Sequence, residues 1–137
     1  MTKQIIDFDK DIGTAFAAIA KYCPVAIGRD KSVELFCIKL GRKATDQEVY
    51  DEAERQGVRM ATFAELLNYA VENPDVGSEN NIVMTVIPLG ERDHGIRVSA
   101  HAHVEEDGKD GRVIRFGESV ENSNRWSTRW SFLVARK

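Results

Sequence analysis

The stretch ATDQEVYDEAERQGVRMATFAELLNYAVEN, residues 44–73, limits the possible folds more than any other part of the chain. Thr45 stands three positions before Glu48, and Thr62 stands three before Glu65. In each pair the threonine oxygen can accept from a first-turn N–H while the glutamate reaches back to the threonine's own N–H, so both pairs are capping boxes. The first predicted helix runs from about Asp46 to Gln56, with Val49 and Ala53 as a narrow inner stripe and Gly57 as its left-handed stop. The second runs from about Phe63 to Glu72, buries Phe63, Leu66, Leu67, Ala70 and Val71, and ends before Asn73-Pro74. Val58 and Met60 lie between the two and are expected to plug the core. Two short capped helices in succession are a signal of fold and carry no chemistry.

The rest of the chain reads mostly as strands. Ile5, Ile6 and Phe8 suit a short extended piece. Ile12, Ala15, Phe16, Ile19 and Ala20 recur at spacings of three and four, which predicts a helix capped by Asp9 or Asp11 and stopped at Cys23-Pro24. A stripe of this kind ordinarily faces its own core, and the other reading is a helix that binds a partner. VELFCIKL, residues 33–40, is dense in β-favouring residues and predicts a buried strand. After a polar loop at 74–81, NIVMTVIPL is apolar at nearly every position and suits a central strand. Ile96, Val98, Ala100, Ala102 and Val104 then alternate with Arg97, Ser99, His101, His103 and Glu105, which predicts a strand with one face packed and one face wet. RVIRF follows as a short strand, GESVENSNR as an irregular loop, and RWSTRWSFLVARK as a last strand. In that last strand Trp126, Trp130, Phe132 and Val134 share a face if the run is unbroken.

With 137 residues the chain is long enough to bury a sizeable core, and no repeat divides it. We read residues 1–31 as a helical extension and 32–137 as one α+β domain with a mostly antiparallel, twisted sheet. A net charge of -3 with no run of Lys or Arg excludes phosphate-backbone binding, so no nucleic-acid partner is expected. No apolar run approaches the ~20 residues of a membrane span, and the charged N-terminal stretch lacks the apolar core of an export signal, so no membrane partner is expected. Cys23 and Cys37 have neither disulfide nor zinc spacing, and a reducing, cytoplasmic setting fits them. Cys37 reads as a small core hydrophobe.

Several segments carry a resemblance. VRMATFAELLNYA is similar to the R-x-P-T-x-x-E-W-x-x-A segment of the formylglycine-generating and sulfatase-modifying branch of the C-type lectin-like fold, and WSFLVARK resembles its terminal strand. The chain also resembles a group of short uncharacterised bacterial proteins with an R-P-A-T-x-x-E-L-L segment and FLAVRK-like ends. Together these likenesses span about 33–137. The lectin-like fold implies antiparallel pairing of 33–40 with 130–136. It does not carry a function over: the calcium-binding motifs E-P-N, Q-P-D and W-N-D of sugar-binding members are missing, as are paired disulfides and late cysteines.

The candidate chemistry is sparse. His101, His103 and Glu105 alternate onto one strand face about 7 Å apart, and they are the right ligand types for zinc or a non-haem metal. With Gly95 they resemble the opening of a cupin motif, but no acid of the right spacing follows. Arg97 on the same face would repel a cation, so the plain reading is a solvated strand face; the sharper readings are a ligand-binding surface of Arg97, His101 and His103, and a metal site. His94, in a tight turn, reads as exposed. Arg125, Trp126 and Arg129 have the composition of a recognition surface, against the plainer reading of core tryptophans with arginines outside. A Trp126 outside the strand would favour recognition. The first expectation is therefore a non-enzymatic binding module without a cofactor, its loops around 74–81, 90–95 and 117–129 meeting a protein or a small polar ligand. The alternatives are an enzyme using a divalent metal on His101, His103 and Glu105, and a small inhibitor or accessory protein acting through the N-terminal helix.

Overall fold

In the computed structural model the described residues are 3–7, 34–78, 80–106, 111–123 and 125–136. The helix expected from Asp11 lies outside them. Both capped helices are present: α1 is Asp46–Arg55 and α2 is Phe63–Glu72. The strands are β1 (Lys3–Asp7), β2 (Leu35–Ile38), β3 (Val58–Met60), β4 (Val83–Glu91), β5 (Arg97–Glu106), β6 (Arg112–Val120) and β7 (Ser131–Arg136). They form one sheet in the order β1-β6-β5-β4-β7-β2, with β3 also on β7. The protein is therefore α+β with a sheet that is antiparallel everywhere except between β4 and β7.

Both capping boxes close as the residue spacing requires. Glu48 N–H donates to Thr45 Oγ1 at 3.3 Å while Thr45 N–H donates to Glu48 Oε1 at 3.1 Å. The corresponding distances at Thr62 and Glu65 are 3.1 and 2.9 Å. Gly57, with φ 71°, follows α1 in the left-handed conformation that stops a helix. The Arg42 guanidinium and then the Thr45 N–H hold the Glu48 carboxyl down to about 2, from an ordinary 4.5. A carboxyl depressed on folding contributes stability above its unfolded value and loses it as pH falls toward the folded one. The α1 cap is therefore intact at neutral pH and weakens as pH falls from 4.5 toward 2. Carboxyl-carbon NMR of Glu48 should show a midpoint near 2, and a midpoint at 4.5 would remove Arg42 from the cap.

β7 is the hub of the sheet. On one side β2 pairs with it, Leu35 opposite Ala135 through Ile38 opposite Phe132. On the other side its first residues meet β4, Ser131 beside Val83, and its last residues meet β3, Arg136 opposite Val58. The expected pairing of 33–40 with 130–136 is thus present in its central residues. It establishes a ladder, not a kinship.

The two helices lie on opposite faces of the sheet, and β3, paired with β7, carries the chain from one face to the other. Val49 and Ala53 of α1 pack with Ile38, Val58, Met84, Val86, Phe132 and Val134. Phe63, Leu66, Leu67 and Ala70 of α2 pack with Val83, Ala100, Ala102, Val104, Ile114, Phe116 and Leu133. Val71, expected in the α2 stripe, is instead 52% exposed. Cys37 packs beside the second cluster, and burial pushes its thiol up, in keeping with its reading as a core residue.

Three expectations about strands are corrected. β5 has no wet face through its middle, since Ser99 and His101 are buried together with Val98, Ala100 and Ala102. The cover on the polar side comes from α1 and from the segment 121–130, which no local pattern announces. β6 runs on through Gly117-Glu118-Ser119-Val120, because the long partner β5 offers ladder positions as far as Val98. The tryptophan run is not continuous strand: β7 begins at Ser131, and Trp126 makes only an isolated bridge with Ala44. At the other edge, the backbone of Lys3–Asp7 pairs antiparallel with β6.

Candidate functional site

Residues 121–123 and 125–130 cross over the polar side of β5 and are fastened to the start of α1. Ala44 and Trp126 exchange backbone hydrogen bonds of 3.3 and 2.8 Å. The buried carboxylate of Asp46 accepts from Trp126 Nε1 at 2.8 Å and from the Asn122 N–H at 3.1 Å. Gln47 N–H donates to Asn122 Oδ1 at 2.9 Å. Asp46 occupies the first turn of α1, where the helix dipole favours a negative charge. A turn closed by Trp130 N–H on Ser127 C=O at 3.3 Å then brings the second tryptophan back toward the sheet.

The tryptophans meet the histidines of β5. The ring centroids are 5.2 Å apart for His101 and Trp126, 5.9 Å for Trp126 and Trp130, and 4.8 Å for Trp130 and His103. Trp126 is stacked on Trp130 at 26°. Such pairs add about 0.5–1.5 kcal/mol beyond the area they bury. A small cleft of about 40 Å³ remains among His101, His103, Arg115, Phe116, Trp126 and Trp130.

The His-x-His-x-Glu set shares a face, as alternation requires, but each member has another neighbour. His101 lies on Trp126 and His103 on Trp130, while Glu105 forms an ion pair with Arg115. Glu105 Oε2 is 3.6 Å from His103 Nε2, beyond hydrogen-bond reach. Among the described residues no group of three His, Cys, Asp or Glu is placed to hold a metal ion. Arg97 stands apart from the rings, 3.5 Å from Glu121 Oε2. Beside it Tyr50 O–H and Ser99 Oγ share a 2.7 Å hydrogen bond, and burial pushes the Tyr50 phenol up. Ser119 Oγ and Glu121 Oε2 are buried there without a hydrogen bond.

Arg125 and Arg129 differ from the other arginines near the site. Both are exposed, and neither side chain makes an ion pair or hydrogen bond among the described residues. The residues that composition singled out in this segment are thus split by the backbone. Trp126 points inward to the sheet, and the arginine beside each tryptophan faces solvent. Sequence reasoning missed Asp46 and Arg115. Asp46 reads as an ordinary first-turn acid, and its partner is 80 residues away. His94 is exposed in its turn at φ 64°.

No protein-family model, curated protein or solved structure matches the chain. Among the described residues no helix is long and apolar enough to cross a membrane.

Proposed function

We propose that the chain is a non-enzymatic binding module whose recognition surface is the segment 121–130 on a lectin-like scaffold. The observation that carries this reading is the state of that segment. Its tryptophans are fixed by Asp46 and the histidine rings, while Arg125 and Arg129 face water without partners among the described residues. A backbone already held in place has little freedom left to lose on binding, and arginine and tryptophan are the residues that contribute most at interfaces. Antiparallel pairing of β2 with β7 supports the lectin-like part of the reading. A cytoplasmic location belongs to the same proposal and rests on the cysteine usage.

The test is affinity capture from native lysate with the wild-type chain and with an Arg125→Glu/Arg129→Glu double variant. The variant should melt as the wild type does, because both side chains are solvated. It should retain at least about tenfold less of any specifically captured protein, equivalent to about 1.4 kcal/mol. Equal capture by both chains, or specific capture by neither, would overturn this surface as the recognition site.

A further inference from the structure

We infer that the partner of segment 121–130 is an acidic, extended protein segment whose carboxylates engage Arg125 and Arg129; this rests on the binding reading above. The charge argument begins with what is already neutralised. Arg92, Arg97 and Arg115 pair with Glu118, Glu121 and Glu105. Arg42 and Arg55, on the α1 side, pair with Glu48 and Glu52. Against that background Arg125 and Arg129, four positions apart on one segment of a chain whose net charge is -3, are exposed cations without an ion pair among the described residues. A guanidinium presents a planar fork of N–H donors that matches a carboxylate, so a short run of Asp or Glu is its natural complement.

The size of the cleft decides between a small ligand and a chain. Pockets for small molecules run about 300–1,000 Å³. The cleft between the tryptophans and the β5 histidines is about 40 Å³, room for the tip of a side chain and not for a ring. The larger open hollow of about 360 Å³ beside α1 is lined by Leu40, Arg42, Glu48, Asp51, Glu52 and Arg55; its arginines pair with Glu48 and Glu52, and Asp51 leaves it net acidic, the wrong sign for a carboxylate partner. A partner at 121–130 is therefore met along the surface as an extended segment, with the half-buried Trp130 the more accessible of the two tryptophans. Nucleic acid is the disfavoured polyanion, because Arg125 and Arg129 on a net-acidic chain neutralise few phosphates.

Four ten-residue probes separate the cases: a Glu-Gly repeat, a Gln-Gly repeat, a Lys-Gly repeat and a single-stranded oligonucleotide. Each is titrated into the full chain while the indole N–H signals of Trp126 and Trp130 are followed by NMR. The Glu-Gly peptide should shift the Trp130 signal. It should bind at least about tenfold more weakly in 0.5 M salt and in Arg125→Glu/Arg129→Glu, a variant that keeps the wild-type melting temperature. The Gln-Gly and Lys-Gly peptides should not bind. An oligonucleotide that binds as tightly through the same arginines would overturn the partner class. Silence from the Glu-Gly peptide, with arginine-dependent capture from lysate still seen, would overturn this inference and leave the binding module standing. Silence in both would remove the two together.

Discussion

Asp46→Ala should lower the unfolding free energy by about 3 kcal/mol, the largest effect expected of any single polar side chain near the site. Its carboxylate is buried and accepts from two donors, Trp126 Nε1–H and the Asn122 N–H. A hydrogen bond to a charged group contributes about 1.5–3 kcal/mol, and deletion strands both donors. Part of that cost returns as segment 121–130 loosens and its donors reach water. Asp46→Asn keeps one acceptor oxygen for two donors and should fall between the variants. Urea unfolding followed by far-UV circular dichroism gives the stability, and tryptophan emission should shift to the red in the folded state. A loss below about 1 kcal/mol would mean that Asp46 does not hold the segment. Peptide binding should weaken in step, because Asp46 acts on the surface by positioning it.

Glu65→Ala should cost about 3 kcal/mol, whereas Glu48→Ala should cost far less. The two glutamates close the same kind of capping box and differ in their surroundings. Glu48 sits at the surface, where water replaces what is lost. Glu65 is 2% exposed, and besides the Thr62 N–H it accepts a two-pronged pair from Arg59, with distances of 2.8 and 2.9 Å. Removing it leaves the Arg59 guanidinium over buried surface. Arg59 is about one-third exposed and can partly rehydrate, which keeps the cost at the low end for a broken buried pair. Equal losses in the two variants, measured by urea unfolding, would show that the box alone matters and burial does not.

This contrast also shows which features were legible in the sequence. A capping box is local, three residues from donor to acceptor, and both were read correctly with their helix boundaries. The alternation of β5 is equally local, and it rightly put His101, His103 and Glu105 on one face. What covers that face is not local. Val49 comes from α1 and Trp126 from beyond β6, so the burial of His101 was hidden from any period-two argument. Strand ends failed for a related reason. Gly117-Glu118-Ser119-Val120 has the composition of a loop, yet β5 lies alongside and supplies its hydrogen bonds. In the candidate site, Arg125, Trp126 and Arg129 stood out by residue type, while Asp46 and Arg115 stood out by nothing.

The hub position of β7 has a consequence for biosynthesis. β2, β3 and β4 all pair with Ser131–Arg136, and none of those ladders can form until that hexapeptide has left the ribosome. At an elongation rate of about 5–20 residues per second, the nascent chain carries these strands with open backbone edges for several seconds. During that interval Leu35–Ile38 lacks its partner strand, and Val83 and Met84, already on β5 along one edge, are open along the other, the state in which a chaperone would find most to hold.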